Sequence, residues 1–328
     1  MTPSVSSDQI KKFQSQIEEE ITSLQLNKSP VELYAPIQYM LSLGGKRVRP
    51  MLAALSYQLF NNDIQKIIKP AIAIELFHNF TLIHDDIMDE APLRRGQATV
   101  HEKWNKNTAI LSGDVSLIKV YELLLHTDEK YTNPLLERFN TCAIEVCEGQ
   151  QLDMNYEKET TLSEDAYINM IRLKTAVLLG FALEMGGILS NTTEKNKMLL
   201  QKMGIFMGIG FQLMDDVLDI YGDHNKIGKQ VGGDIINNKK TFLLIKALEE
   251  KKYQPTLIDW MNQSQYKPEE KIKVFIDIYD KLNLKEVAEK KIHNYFSKTL
   301  DCLNQIEAPL ERKHIIQEFI NQLKNRSY

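Results

Sequence analysis

Two acidic pentads of the same form carry the chemistry that this sequence suggests. DDIMD at 85–89 and DDVLD at 215–219 both read D-D-x-x-D, and each follows an apolar run with helical spacing. On a helix the first and fifth residues share one face, and the second lies about 100° round from the first. Carboxylates at the end of an apolar helix need a counter-charge, and Mg²⁺ prefers oxygen ligands that it shares with phosphates. The spacing therefore predicts a multi-metal diphosphate site between two helices, held by Asp85, Asp86, Asp89, Asp215, Asp216 and Asp219.

A solvated helix surface is the competing interpretation of each pentad taken alone, because acidic residues are common on surfaces. Two copies in the same apolar context favour a shared role instead. A diphosphate site would also need cations and backbone donors near the pentads.

Basic residues occur where such a site needs them. The loop GGKRVRP at 44–50 combines cations with two glycines that let the backbone approach an anion, and arginine binds phosphate bidentately. His78 precedes the first pentad by two helical turns. Taken singly, these features also fit a surface basic loop and a satisfied core histidine. The remaining cations flank the pentads or lie within an apolar helical segment: Arg94, Arg95, Lys174, Lys229, Lys239 and Lys240.

Composition argues against several other classes of protein. The chain has 328 residues, 43% of them hydrophobic, and a formal net charge of −4, which gives no electrostatic footprint for nucleic acid. Its three cysteines form no C-x-x-C pair, as expected of reduced thiols in the cytoplasm. The sequence lacks the basic region followed by an apolar stretch that marks a signal peptide. No apolar run reaches the roughly 18 residues of a membrane span. We therefore expect a cytoplasmic protein without a membrane span.

Helical periodicity predominates along the chain and predicts one all-α domain over residues 1–328. Ser29-Pro30 and Lys267-Pro268 both suggest an N-cap followed by proline at the first helical position. Gly186-Gly187 either permit close helix packing or end a helix. The predicted helices cover about 70–89, 109–126, 134–156, 168–189 and 197–221, with more in the last hundred residues, including one starting near Pro309.

Taken together, these motifs closely resemble the trans-isoprenyl diphosphate synthases of the polyprenyl synthetase family. The resemblance rests on GGKRVRP, LIHDDIMD with its following RRG, GQQLD at 149–153, KTA at 174–176, and FQLMDDVLD followed by GKQVGGDI. It covers about residues 35–245 in the right order. It implies an isoprenoid-synthase-type bundle of about ten or more helices around a central cavity, usually a homodimer.

The resemblance also implies an activity and a set of roles. The enzyme would condense isopentenyl diphosphate head-to-tail with an allylic diphosphate (dimethylallyl, geranyl or farnesyl) after Mg²⁺-assisted ionisation. The pentads would hold about three Mg²⁺ ions, replaceable by Mn²⁺, with Asp216 behind the others or linked through water. The residues implied to contact the allylic diphosphate are Arg94, Lys174, Gln212, Lys229 and Lys239, the last preferred over Lys240 on its spacing from Asp234. Those implied to hold isopentenyl diphosphate are Lys46, Arg49, His78 and Arg95. Gln150 and Thr175 are implied to line the reacting centre.

Three other classes compete with this assignment. A class I terpene cyclase also uses an aspartate-rich helix, but its second metal motif carries Asn, Ser and Glu rather than DDVLD. A non-catalytic subunit of a heteromeric synthase typically lacks intact acidic motifs. His84-Asp85 suggests an HD-type metal phosphohydrolase. Such an enzyme needs further metal-binding histidines, whereas the seven histidines of this chain are scattered along the sequence.

Product length depends on the residues just before the first pentad. In the family, a bulky aromatic five residues before the first aspartate, beside a small residue and without an insertion in the pentad, is typical of short-chain synthases of the geranylgeranyl type. Here Phe80 and Thr81 occupy those positions, and Phe77 lies one turn deeper. We expect a twenty-carbon product, with fifteen carbons as the near alternative. Ordinary core packing is the competing role for both phenylalanines.

Overall fold

Helices make up nearly all the regular structure of the described residues, which confirms the all-α fold. The computed structural model describes residues 5–222 and 232–325. The helices up to the second half of the chain are α1 (Val5–Ser23), α2 (Val31–Ser42), α3 (Val48–Gln58), α4 (Gln65–Met88), α5 (Val100–Lys103), α6 (Lys106–Leu124), α7 (Glu129–Glu157) and α8 (Glu164–Ile171). A π-helical turn at Arg172–Ala176 follows, then α9 (Val177–Leu189), α10 (Glu194–Tyr221), α11 (Gly233–Ile236), α12 (Phe242–Glu249), α13 (Gln254–Asn262), α14 (Pro268–Lys281), α15 (Leu284–Gln305) and α16 (Leu310–Asn325). The strands are β1 (Leu93–Arg94) and β2 (Gln97–Ala98), paired antiparallel.

The described residues divide into two compact units. The first unit comprises the described parts of Met1–Cys142, Leu178–Gln201 and Leu303–Asn321. The second unit comprises the described parts of Ala143–Val177, Lys202–Cys302 and Gln322–Tyr328. The single domain expected from the sequence stays a prediction.

Helix α4 is the core of the first unit. Its residues are buried on every side from Pro70 to Phe77, and α3 and α6 pack against it. A helix that is apolar all round belongs inside a protein, and its last turn then carries the first pentad outward from that core. The neighbouring helix α6 begins at a polar N-cap, because the Asn105 side chain accepts a hydrogen bond from the Thr108 amide.

In the second unit, side-chain caps begin the short helices near the second pentad. Ser163 accepts a hydrogen bond from the Ala166 amide at the start of α8, and Thr241 accepts one from Leu244 at the start of α12.

Glu164–Leu189 is long and apolar enough to cross a membrane by length and composition alone. Because 67% of its most apolar window is buried within the protein, it has the character of a core segment.

The structure differs from two local expectations and decides between the alternatives left open for a third feature. Pro30 is the N-cap of α2, not its first residue, whereas Pro268 does begin α14 as predicted. The helix expected over 168–189 is interrupted by the π-turn. Gly186 lies inside α9, where an alanine methyl would be 2.4 Å from the Tyr57 amide nitrogen, so close packing is its role.

Candidate active site

The first pentad ends α4, and its three carboxylates have different surroundings. Asp89 is exposed and Asp85 is half-buried, but the Asp86 side chain is only 1% exposed. Arg94 binds Asp86 through Nε, at 2.9 and 2.8 Å from the two carboxylate oxygens, and through Nη2 at 2.6 Å. Burial raises the pKa of Asp86, and the hydrogen bonds from Arg94 oppose this rise. Asp86 is therefore held by a protein cation.

A tight β-hairpin returns Arg94 to the pentad and carries Arg95 in its turn. Arg95 and Gly96 form its turn with positive φ angles of 52° and 75°. Two side chains anchor the strand that leaves it: Thr99 Oγ1 donates to Ala91 O at 2.7 Å, and Tyr39 of α2 donates to Ala98 O at 2.7 Å. The segment that follows the first pentad is thus an ordered hairpin.

A second cluster of cations surrounds His78 on the same helix. Burial lowers the pKa of His78 well below its ordinary 6.5, and the charges of Arg49 and Arg95 lower it further. The ring is therefore neutral near pH 7. Arg95 also donates through Nη1 to Gly44 O, which joins the hairpin to the loop bearing Lys46. Lys46 itself is exposed.

One donor in this cluster is left unsatisfied. Arg49 Nε is buried and has no hydrogen-bond partner among the described residues. Burial also lowers the pKa of this guanidinium, against the attraction of Glu75. A buried unpaired donor is costly, and an anion bound there would remove that cost. The cluster therefore suits an anionic ligand.

Arg47 and Glu75 complete the cluster, although no sequence pattern singled them out. Arg47 adopts a left-handed conformation (φ 44°) that turns its side chain inward. There it donates to Glu75 at 2.8 Å, to Glu18 of α1 at 2.9 Å and to Leu41 O at 2.7 Å. Glu75 is only 3% exposed, so it is a buried anion beside the cations. The ion pair fixes the end of the loop that carries Lys46 and the start of α3, which carries Arg49.

The second pentad repeats the division seen in the first. Asp215 is exposed and Asp219 half-buried, whereas Asp216 is 3% exposed. Asp216 Oδ2 accepts hydrogen bonds from the Tyr167 hydroxyl and, at 3.0 Å, from the Phe242 amide. Burial raises the pKa of Asp216 to about 7, with Asp234 adding to the rise.

The expected ligands Lys174, Thr175, Gln212 and Lys239 line one cleft of the second unit, together with Asp153, Tyr167, Asp216 and Lys240. Lys174 Nζ lies 2.6 Å from Asp153, a member of the GQQLD motif whose role the sequence did not reveal. Thr175 donates to Gln212 at 3.2 Å. Gln150 is buried on α7, 8% exposed, and is not among the cleft-lining residues.

The two neighbouring lysines have different surroundings. Lys240 is 5% exposed, and its Nζ donates to Glu157 O at 3.4 Å and Asn238 O at 3.3 Å. The Lys239 side chain is 42% exposed and lies 3.9 Å from Asp234. Lys239 is therefore the better placed to meet a ligand, and its role stays a prediction. Lys229 lies outside the described residues.

Buried Lys271 of α14 supports the turn that precedes these lysines. Its Nζ donates to Asn238 Oδ1 at 2.6 Å and to Ile236 O at 3.4 Å, and the Tyr266 ring centroid lies 4.5 Å away. Burial lowers the pKa of this amine. Nothing in the sequence pattern distinguished Lys271 from the surface lysines of the same helix.

The oxygen donors fit Mg²⁺ that arrives with a phosphate ligand. Among the described residues, no three His, Cys, Asp or Glu side chains already form a complete metal site. Mg²⁺ is commonly held by one or two carboxylates with waters and substrate phosphates supplying the rest. Asp85 with Asp89, and Asp215 with Asp219, offer such incomplete pairs. Asp86 and Asp216 remain predicted ligands, although protein donors engage both.

The predicted length-determining residues lie on α4. Phe80 is half-buried against His84, with ring centroids 4.7 Å apart. Phe77 is 1% exposed and packs on Phe80 at 5.6 Å and edge-to-face on Phe139 at 5.2 Å. Thr81 donates to His78 O at 2.8 Å. The deeper aromatic layer contributed by Phe139 was not anticipated, because it comes from α7.

Comparison with known proteins identifies the family. The sequence profile of the polyprenyl synthetase family matches residues 30–279. The chain belongs to the polyprenyl synthetase family. A relative from Geoglobus acetivorans, named geranylgeranyl pyrophosphate synthase, is 42% identical over 71% of this chain and 74% of its own. The short chain isoprenyl diphosphate synthase of Methanocaldococcus jannaschii is 40% identical over 75% of this chain and 76% of its own.

Solved structures agree with this membership. A crystal structure of geranylgeranyl pyrophosphate synthase is 40% identical to the chain and superposes with a TM-score of 0.93, covering 97% of this chain and 98% of the other. The resemblance drawn from the motifs is confirmed. The individual site assignments within the polyprenyl synthetase fold stay predictions.

Proposed function

We propose that the protein condenses isopentenyl diphosphate head-to-tail with an allylic diphosphate to give geranylgeranyl diphosphate. Its family and the names of its relatives make it a prenyltransferase that synthesises short-chain all-trans prenyl diphosphates. The twenty-carbon length and the identity of the primer are the parts that we propose.

The unsatisfied donor of Arg49 is the single observation that carries the substrate assignment. It lies in a cluster of cations and a neutral His78, and it can be satisfied by an anion. We assign this cluster to the diphosphate of isopentenyl diphosphate. The cleft lined by Lys174, Gln212 and Lys239 is assigned to the allylic diphosphate.

Bond cleavage at the allylic carbon needs stabilisation of the leaving diphosphate. Mg²⁺, when bound, supplies Lewis-acid stabilisation of that negative charge. Lys174 and Lys239 stabilise the same charge by direct contact. The apolar side chains of Phe77 and Phe80 keep water from the carbocation. The double bond of isopentenyl diphosphate then attacks, and the departing pyrophosphate takes the proton that is lost.

The direct test is incubation with isopentenyl diphosphate and either dimethylallyl, geranyl or farnesyl diphosphate, with products identified by mass. We expect a twenty-carbon diphosphate, abolished by EDTA and restored by Mg²⁺ or Mn²⁺. Asp215→Ala should lower the rate by about a hundredfold. Asp277→Ala, an exposed acid of α14, is the matched control. A cyclised hydrocarbon, or near-full activity in EDTA, would contradict the proposal.

The protein is further proposed to be a cytoplasmic homodimer that binds no nucleic acid and does not span a membrane. All three cysteines are free thiols, which suits a reducing compartment. Helix α6 exposes a row of apolar side chains, namely Ile110, Leu111 and Ile118, that a second copy would cover. Light scattering should give twice the monomer mass for the wild type and a lower mass for Ile118→Asp. A monomeric wild type would contradict the dimer.

A further inference from the structure

Within the second unit, α7 and α10 each place a glycine against the backbone of the π-turn Arg172–Ala176. On α7, an alanine methyl at Gly149 would lie 2.2 Å from the Lys174 amide nitrogen and 2.6 Å from its Cα. On α10, a methyl at Gly208 would lie 2.5 Å from Ala176 Cα and 2.6 Å from its Cβ. These contacts are mostly with backbone atoms, which cannot rotate away as a side chain can.

Each helix also holds a side chain of the π-turn, one helical turn beyond its glycine. Asp153, four residues after Gly149, lies 2.6 Å from Lys174 Nζ. Gln212, four residues after Gly208, accepts the hydrogen bond of Thr175 at 3.2 Å. Residues four apart share a helix face, so each helix contacts both the backbone and a side chain of the π-turn with one face.

The local sequence alone does not favour this arrangement. Glycine within a helix is less favourable than alanine, and a π-turn is rare in helices and frequent at functional sites. Both glycines and the π-turn occur at the same place, so a tertiary requirement must offset these local costs. That requirement is the placement of the residues at positions 174 and 175.

We propose that Gly149 and Gly208 are positioning residues for the allylic diphosphate, acting through the π-turn. Neither glycine touches the substrate. Their missing side chains let α7 and α10 approach the turn closely enough to fix the direction of Lys174 and Thr175. The inference rests on the proposed function, because it assigns these two residues to the allylic diphosphate.

Substitution by alanine tests the placement, because it adds one methyl group and leaves every polar group intact. We expect Gly149→Ala and Gly208→Ala to raise KM for the allylic substrate, or lower kcat, by up to about a hundredfold, since displacements near 1 Å have effects of that size. KM for isopentenyl diphosphate should stay within about twofold of wild type. The matched control is Gly210→Ala on α10, where the three atoms nearest to the added methyl all belong to side chains, the closest at 3.1 Å on the Phe296 ring.

Hydrogen exchange of the amides at 172–176 gives a second measurement that needs no turnover. Exchange there should be faster in both alanine variants than in wild type and unchanged in Gly210→Ala. If the two alanine variants fold poorly, Ala176→Gly replaces them, because it adds no atom and removes the methyl group that lies against Gly208. It should show the same selective effect on the allylic substrate and the same faster exchange. A wild type without prenyltransferase activity would refute the proposed function, and exchange would still test the glycines. Unaltered kinetics and exchange, equal rises in both KM values, or the same defect in Gly210→Ala would overturn the inference.

Discussion

Arg94 donates three hydrogen bonds to Asp86, two from Nε at 2.9 and 2.8 Å and one from Nη2 at 2.6 Å. The aspartate side chain is 1% exposed and the arginine side chain 28% exposed. The second carboxylate of the first pentad therefore depends on a protein cation, and this ion pair fixes the hairpin against the end of α4. Asp216 occupies the same position of the second pentad and is bound by Tyr167 and the Phe242 amide.

Removing Arg94 should destabilise the protein, because it leaves a buried carboxylate without its partner. We expect Arg94→Gln to lower the free energy of unfolding by about 3 kcal/mol near pH 7. The double variant Arg94→Gln/Asp86→Asn should regain much of this loss. Lys106→Gln, which removes an exposed ion pair with Glu90, should change it by less than about 1 kcal/mol. Denaturant unfolding measures all three, and equal losses in Arg94→Gln and Lys106→Gln would refute the dependence.

The two groups of cations should affect different substrates. Lys46→Ala or Arg49→Ala should raise KM mainly for isopentenyl diphosphate, whereas Lys174→Ala should raise it mainly for the allylic substrate. Loss of one charge-assisted phosphate contact typically costs about 1.5–3 kcal/mol, so each change should be roughly tenfold to a hundredfold. Exposed Lys66 provides the control Lys66→Ala. The measurement is steady-state kinetics with each substrate varied in turn. The assignment is wrong if substitutions in either group raise KM for both substrates equally.

Phe80 should limit the length of the product. Phe80→Ala should shift the products to longer chains, and Thr81→Phe should shorten them, because the prenyl chain is expected to run beneath Asp85 along α4. Phe77, packed on Phe139, then forms the next barrier, so Phe80→Ala/Phe77→Ala should lengthen the products further. Product masses measure this, with Phe60→Ala as a half-buried aromatic control outside α4. An unchanged distribution from folded Phe80→Ala would leave both residues as core packing.

The stability of the free protein should depend on pH through His78. The folded state lowers the pKa of His78 well below 6.5, first by burial and then by the surrounding guanidinium groups. The contribution of the neutral ring is therefore complete above pH 6.5 and is lost as the pH falls through the folded pKa. When the pH falls from about 8 to about 5, the Tm of His78→Asn should decrease less than the Tm of wild type. The Tm of the exposed control His126→Asn should decrease as much as that of wild type. Parallel losses in wild type and His78→Asn would contradict this.

The local sequence pattern predicted the positions of the helices better than it predicted the burial and contacts of individual side chains. The helix expected over 70–89 is α4 at Gln65–Met88, and that expected over 197–221 is α10 at Glu194–Tyr221. These agree because apolar spacing along a helix is a property of consecutive residues. Their starts were placed three to five residues late, since each first turn is more polar than the rest of its helix.

The sequence by itself determined the fold class and the family, and it predicted the carboxylates and cations of the site, because these follow from residue type and short spacings. Only the tertiary structure decided that Asp86 and Asp216 are enclosed by protein donors, while Asp89 and Asp215 remain exposed. The partners Arg47, Tyr167 and Lys271 come from other helices or turns, and the π-turn lies against glycines distant in sequence. Long-range packing sets burial, hydrogen-bond partners and pKa shifts, and no periodicity along one helix specifies which residue of another helix will meet it.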